Sequence, residues 1–316
     1  MNKTSFIFSA LILAGISTNN YANIVEPSPL PSFSGNYLRV QPSVRDATVS
    51  SGSNGAIGFQ YDPTGSGNNF INILNPAAPY ENFFVKADQI TQGAGTSGHL
   101  AGNNNAPGNL DLIFPALSSS FIDLSSGSTN HFQWHGLYAE TNFSVLGSPV
   151  ISIFSITNDY SFDTNGQRID VITTITALTD LTNLSFLRSA NPDDFGSGVT
   201  DTQNTLDANN ASGTDSVSGI TLTLRSESNA INHGTGISFD SINPSDYLGN
   251  VNDGNGDNII GLAFNIGSLA SGQSVSLNYA YLFSTASISV PIPAAIWLFS
   301  PALFGLVRLH RNRKTI

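Results

Sequence analysis

Apolar and polar residues alternate with a period of two along most of this chain. In the stretch RIDVITTITA, Ile169, Val171, Thr173, Ile175 and Ala177 share one side, and Asp170, Ile172, Thr174 and Thr176 share the other. β-Branched residues dominate it, as they do in half-buried strands. LTNLSFLRS, residues 181–189, starts a second strand. Residues 219–226 place Ile220, Leu222 and Leu224 on one face, and residues 274–284 do the same with Val275, Leu277, Tyr279 and Tyr281. Residues 148–162 carry Val150, Ile151, Ile153 and Ile156, followed by aromatics. Clusters of Gly, Asn, Asp and Ser separate these runs, as turns do. No part of the body holds a 3.6-residue apolar period for long. The pattern predicts an all-β fold, with two sheets packed face to face as one large antiparallel sandwich over residues 23–288. Residues 91–109, rich in Gly and Asn, read as a long loop inside this domain or a weak boundary. Residues 196–216 read as a loop as well.

Composition sharpens the picture. Only 10% of the 316 residues are charged, against about 25% in ordinary domains. The polar positions are filled by Ser, Thr, Asn and Gly, which suit strands and turns better than surface helices. Cysteine is absent, which excludes disulfides, thiolate metal sites and a cysteine nucleophile. All 22 acidic residues lie between the two end segments. The only basic residues there are Arg39, Arg45, Lys86, Arg168, Arg188 and Arg225. So acidic a body argues against nucleic acid and anionic lipid as partners. It suits solubility outside a cell, or cation binding.

The two ends differ from the body. Lys3, an apolar run over residues 5–16 and the small-residue site NYA at Asn20, Tyr21 and Ala22 have the form of a secretory signal peptide, residues 1–22, removed by signal peptidase. At the other end, residues 291–307 carry no charge. As a helix they would rise roughly 26 Å, near the lower limit for a bilayer span. Arg308, Arg311, Arg313 and Lys314 follow at once, and cations in that position stay on the cytoplasmic side. The expected topology is a body outside the inner membrane with its tail inside.

Val290, Pro291, Ile292, Pro293 and Ala294, then an apolar segment, then a basic cluster, resemble the PEP-CTERM sorting signal in its VPLPA variant. Ile292 stands where that signal usually has glutamate. The resemblance covers residues 289–316. It implies a Gram-negative source, transient anchoring in the inner membrane and processing by an exosortase-like enzyme. Delivery to the cell surface or an extracellular matrix rich in polysaccharide would follow. Within the body, YENFFVKAD (residues 80–88), residues 178–196 and residues 259–283 resemble parts of large β-sandwiches in exported bacterial proteins. Their order is similar to the super-sandwich of galactose mutarotase-like, sugar-handling domains.

Candidate chemistry is sparse. Asp253, Asn255 and Asp257 occupy positions 1, 3 and 5 of a calcium-type loop, where alternate oxygen ligands can wrap a hard cation. The EF-hand pattern fails further on, at Asn258 and Phe264, and the same residues are ordinary formers of a hairpin turn. Asp193 and Asp194 pose the same choice. His131 and His135 form the one close histidine pair. On a strand they share a face about 13 Å apart, too far for one metal. Glu140 follows nearby. Trp134 and His135, with Tyr138, could offer a sugar-stacking face, or be packed aromatics at a strand edge. Neither a G-x-S-x-G nor a phosphate-binding Gly motif is present. The expectation is an exported structural or interaction protein, not an enzyme. The alternative is a carbohydrate-binding or sugar-active sandwich. No cofactor is expected beyond possible calcium.

Overall fold

The computed structural model describes residues 32–44, 53–74, 81–90, 100–102, 118–140, 151–192 and 202–285. Among the described residues, seventeen strands form three antiparallel sheets, accompanied by one short helix. The largest has eight strands in the order β12-β13-β14-β17-β10-β9-β8-β7. These are β7 (Ser118–Asp123), β8 (Thr129–Glu140), β9 (Ile151–Asp163), β10 (Arg168–Ala177), β12 (Thr202–Leu206), β13 (Asn210–Asp215), β14 (Ile220–Ser226) and β17 (Ser274–Thr285). A four-stranded sheet runs β1-β2-β3-β4, from β1 (Phe33–Ser34), β2 (Leu38–Val44), β3 (Ser53–Tyr61) and β4 (Ile71–Asn72). A five-stranded sheet runs β15-β16-β11-β5-β6. It contains β5 (Glu81–Lys86), β6 (Leu100–Gly102), β11 (Leu181–Ala190), β15 (Asn232–Ser238) and β16 (Ile259–Leu269).

The period-two pattern has the expected result in the large sheet. Ile169, Val171, Thr173, Ile175 and Ala177 of β10 are all buried, and the residues between them are not. The inner face packs on both smaller sheets, which lie side by side. Phe33 of β1 stacks on Phe132 of β8 at 4.3 Å, and Phe59 of β3 contacts Tyr281 of β17 at 4.7 Å. From the five-stranded sheet, Phe83 meets Trp134 at 5.5 Å and Phe186 meets Tyr279 at 6.3 Å. One hydrophobic core therefore joins all three sheets. The expected second layer is split into two sheets.

The five-stranded sheet is buried on both faces. Helix α1 (Pro244–Leu248), capped by Asn243 with Pro244 in its first turn, covers the outer face. Tyr247 of α1 joins Phe84, Leu100, Leu187 and Ala263 in a second small core. A Cβ on Gly261 would stand 2.2 Å from the Tyr247 ring, so glycine there lets the helix approach. Burial on both sides explains why β5 and the second half of β11 are buried at successive positions instead of at alternate ones.

Two loop expectations are corrected. Within residues 91–109, Leu100, Ala101 and Gly102 form β6, buried throughout and paired with β5. Within residues 196–216, β12 and β13 form an antiparallel hairpin. A bulge between Tyr138 and Ala139 shifts the β8–β9 register. Beyond it the alternation in β9 slips, so Ile153 and Phe154 are both buried while Ile151 is exposed. Residues 1–22, the segment 289–316, Asp193 and Asp194 lie outside the described residues. Among the described residues, no helix is long and apolar enough to cross a membrane.

Candidate functional site

Strand parity sorts the sequence candidates. On β8, Phe132, Trp134 and Tyr138 point into the core, while His131, Gln133 and His135 lie on the solvent side. Trp134 is 1% exposed and packs against Phe83. A Cβ on Gly136 would sit 2.3 Å from the indole, so Gly136 makes room for Trp134. Tyr138 is equally buried and stacks on Phe154 at 4.6 Å. The sugar-stacking face expected of Trp134 and Tyr138 is thus overturned: their rings fill the interior.

The histidines remain on the surface, and tertiary pairing gives them partners that lie far off in sequence. His131 Nε2 lies 2.7 Å from Asp159 Oδ1 on β9, and Gln133 donates to the other carboxylate oxygen. The His131 and Asp159 side chains are 34% and 25% exposed, so the pair stands at the water boundary. His135 Nδ1 contacts Thr157 Oγ1 at 2.8 Å. His135 is exposed at one edge, yet partial burial of its ring holds its pKa below the ordinary value. The two histidines share a face but engage separate neighbours. A histidine oriented by a carboxylate can exchange protons, and the row of ring, amide and hydroxyl groups can hydrogen-bond a polar ligand. Further along this face hydroxyls pair across strands, Thr174 with Ser276 at 3.0 Å and Thr176 with Ser274 at 2.8 Å. Arg168, Asp170, Arg225 and Glu227 form an ion-pair network there.

The calcium-type loop joins α1 to β16 and is not a hairpin turn. Its three candidate side chains diverge. Asp253 accepts from the Phe239 backbone N–H at 2.8 Å, Asn255 from that of Asn204 at 2.9 Å, and Asp257 from the Asn191 side chain at 3.1 Å. The loop is stitched to β12, where Asn204 Nδ2 donates to the Gly254 carbonyl and Thr202 Oγ1 to that of Gly256. Each of the three side chains has one oxygen bound to a different protein donor. Among the described residues, no group of three His, Cys, Asp or Glu side chains is placed to hold a metal.

The strongest electrostatic feature escaped the sequence reading. Glu81 of β5 and Arg188 of β11 form a fully buried ion pair inside the core. Arg188 Nε donates to Tyr281 Oη at 2.9 Å and Nη2 to Tyr160 Oη at 2.6 Å. Tyr281 in turn donates to Glu81 at 2.8 Å, and the Ile57 N–H of β3 completes the carboxylate's shell at 3.1 Å. Burial works against the Arg188 charge. The Glu81 carboxylate and the surrounding tyrosines outweigh it and hold the guanidinium pKa well above its usual value. Burial also drives the Tyr160 and Tyr281 hydroxyls well above theirs. The cluster links all three sheets and is closed to solvent, which suits it to structure. The available signal was one Arg within an apolar strand, FLRSA, and one Glu opening another, ENFFV.

No family model matches the chain, and no curated protein does. Among solved structures, it is similar to a protein of glycosyl hydrolase family 38 from Enterococcus faecalis, at 10% identity and a TM-score of 0.44. That match covers 81% of this chain and 30% of the other. An α-mannosidase from Enterococcus faecalis V583 is 9% identical, with a TM-score of 0.43, over 81% of this chain and 29% of its own. A protein assigned as an aldose 1-epimerase from Escherichia coli K12 is 10% identical, with a TM-score of 0.39, over 81% and 99%. The chain spans less than a third of the length of the first two.

Proposed function

We propose that this chain is exported and works outside the cell as a structural or interaction protein of the surface or matrix, delivered there by its C-terminal segment. The observation that carries this reading is the ordered succession of Val290 to Ala294, a charge-free run to residue 307, and Arg308, Arg311, Arg313 and Lys314. Signal peptidase and an exosortase-like enzyme are its processing partners, and the inner membrane holds it in between. The position of the last described strand supports the reading. β17 ends at Thr285, so a cut at the motif would leave every described strand whole. The test is the intact mass of the native protein with its C-terminal peptide sequenced. A start near Asn23 and an end between Val290 and Ala294 are expected. An end at Ile316 in the mature protein refutes the sorting step.

The His131, Gln133 and Asp159 cluster favours a second reading, a super-sandwich-like carbohydrate-binding or sugar-active body. Such a row of donors and acceptors suits sugar hydroxyls, and surface polysaccharide is the matching ligand class. A glycan array with the wild-type body and the His131→Ala variant tests it. Binding that weakens at least tenfold in the variant is expected, and an array without hits removes this reading.

A further inference from the structure

We propose that, while the tail holds the protein in the membrane, one end of the sandwich rests against the bilayer surface: the rim of turns around Thr285. The proposal rests on the tail-anchor reading above and adds an interaction surface, with a lipid headgroup layer as its partner. β17 is an interior strand of the large sheet, between β14 and β10, and it stays paired up to Thr285, which lies opposite Ile220. Four residues, 286–289, separate Thr285 from Val290. Fully extended, the five steps between them reach about 18 Å. The headgroup layer on one side of a bilayer is itself roughly 5–8 Å deep. The end of β17 is therefore confined to a narrow zone above the lipid. The start of the same strand, Ser274, eleven residues away, stands about 37 Å further along.

The strand registers place the same set of turns at this end. Arg168 lies opposite Leu282, Thr129 opposite Asp163, and Thr202 opposite Asp215. The rim is continuous. Gln167 accepts from the Phe283 N–H at 2.9 Å, Thr164 donates to Ser128 at 2.8 Å, and Asn36 donates to Thr164 at 2.6 Å. Gly67 then donates to Asn36 at 3.0 Å, which brings in the loop that follows β3. The exposed positions are mostly Ser, Thr, Asn and Gly, joined by Val217 at 65% and Leu124 at 42% exposure. Four aspartates of the rim are bound within their own turns: Asp62 is buried within its loop, Asp215 accepts from the Ser218 N–H at 2.7 Å, Asp163 from that of Asn165 at 2.8 Å, and Asp123 from that of Ser125 at 2.9 Å. Asp253 and Asp257, in the loop bridged to Thr202, accept from Phe239 and Asn191. Arg168, at this end, is neutralised by Asp170 and Glu227, and the rest of that ion-pair network and the His131–Asp159 pair extend over the outer face of the large sheet. A hydroxyl and amide rim with two apolar tips meets a headgroup layer at lower desolvation cost than that charged face.

The absence of cysteine makes the test direct. The chain with its tail intact is reconstituted in phosphatidylcholine vesicles as four single-cysteine variants carrying a donor fluorophore, with an acceptor on the lipid headgroups. Ser126→Cys and Val217→Cys report on the rim, and Leu178→Cys and Ala270→Cys on the opposite end. Energy transfer several-fold higher from the two rim sites is expected. Equal transfer from both ends, in protein that floats with the vesicles, overturns the orientation alone. Protein that does not float overturns the tail-anchor reading and the orientation with it.

Discussion

Asp62 shows how much one side chain can organise. Its carboxylate is closed off by its own loop, not by depth in the core. It accepts from the Thr64 N–H and hydroxyl at 2.9 and 2.6 Å, from the Ser66 hydroxyl at 2.7 Å, and from the Asn68 and Asn69 N–H groups at 3.1 Å each. Its closed position pushes the pKa up, but these hydrogen bonds outweigh that and hold it far below the usual carboxylate range. The folded pKa is therefore below the unfolded value of about 4. The stability that Asp62 contributes is present above that pH and is lost as the pH falls below it. Asp62→Asn should cost about 1–3 kcal/mol at neutral pH, and the deficit should shrink on acidification. Urea denaturation at two pH values checks this, and a constant deficit contradicts it. The Glu81–Arg188 pair makes a different point. Arg188→Met strands a buried carboxylate and should cost about 3–5 kcal/mol, whereas the double variant Glu81→Leu/Arg188→Met should cost less than the sum of the two single changes. Additive losses would show that the two charges do not stabilise each other.

At the scale of elements, the clearest lesson is the pair β12 and β13. The sequence pattern of both is that of a loop, because Thr, Asn, Ser and Gly dominate them. Their alternation is present but carried by small residues: Ala211, Gly213 and Asp215 are the buried positions of β13. Strand identity there comes from pairing with β14, as in the Ser212–Thr223 and Thr214–Thr221 hydroxyl contacts at 2.8 and 2.9 Å. β6 was missed for a related reason, since a buried Leu-Ala-Gly triplet has no period to detect. By contrast, β10, β14 and β17 were legible, because β-branched and large apolar residues alternate there with polar ones. The loop after α1 supplies a prediction at this scale. Asn204→Ala removes its side-chain bonds to the Gly254 and Gly256 carbonyls, so amide exchange at residues 252–258 should speed at least tenfold. A chelator should leave Tm unchanged, because Asp253, Asn255 and Asp257 each bind a different protein donor. A Tm that falls on chelation would restore the calcium reading.

At the scale of the molecule, one core spanning three sheets predicts a single cooperative unfolding transition for the body. Removing residues 290–316 should leave Tm within about 1 °C, because all described strands end by Thr285. Two separate transitions in calorimetry would mean that the sheets fold as independent units. The amino-acid sequence was enough for the all-β class and for the polar and acidic character of the body, because each is written in local pattern or in composition. It also placed His131 and His135 on one face, since parity along a strand is local. It could not say which face. Trp134 went inward and its neighbours outward because β5 supplies Phe83 on one side and water lies on the other. The partners that give His131 and Arg188 their chemistry, Asp159 and Glu81, lie 28 and 107 positions away. Only the pairing of β8 with β9 and of β11 with β5 brings them within hydrogen-bond range, and that pairing is set by how three sheets share one core.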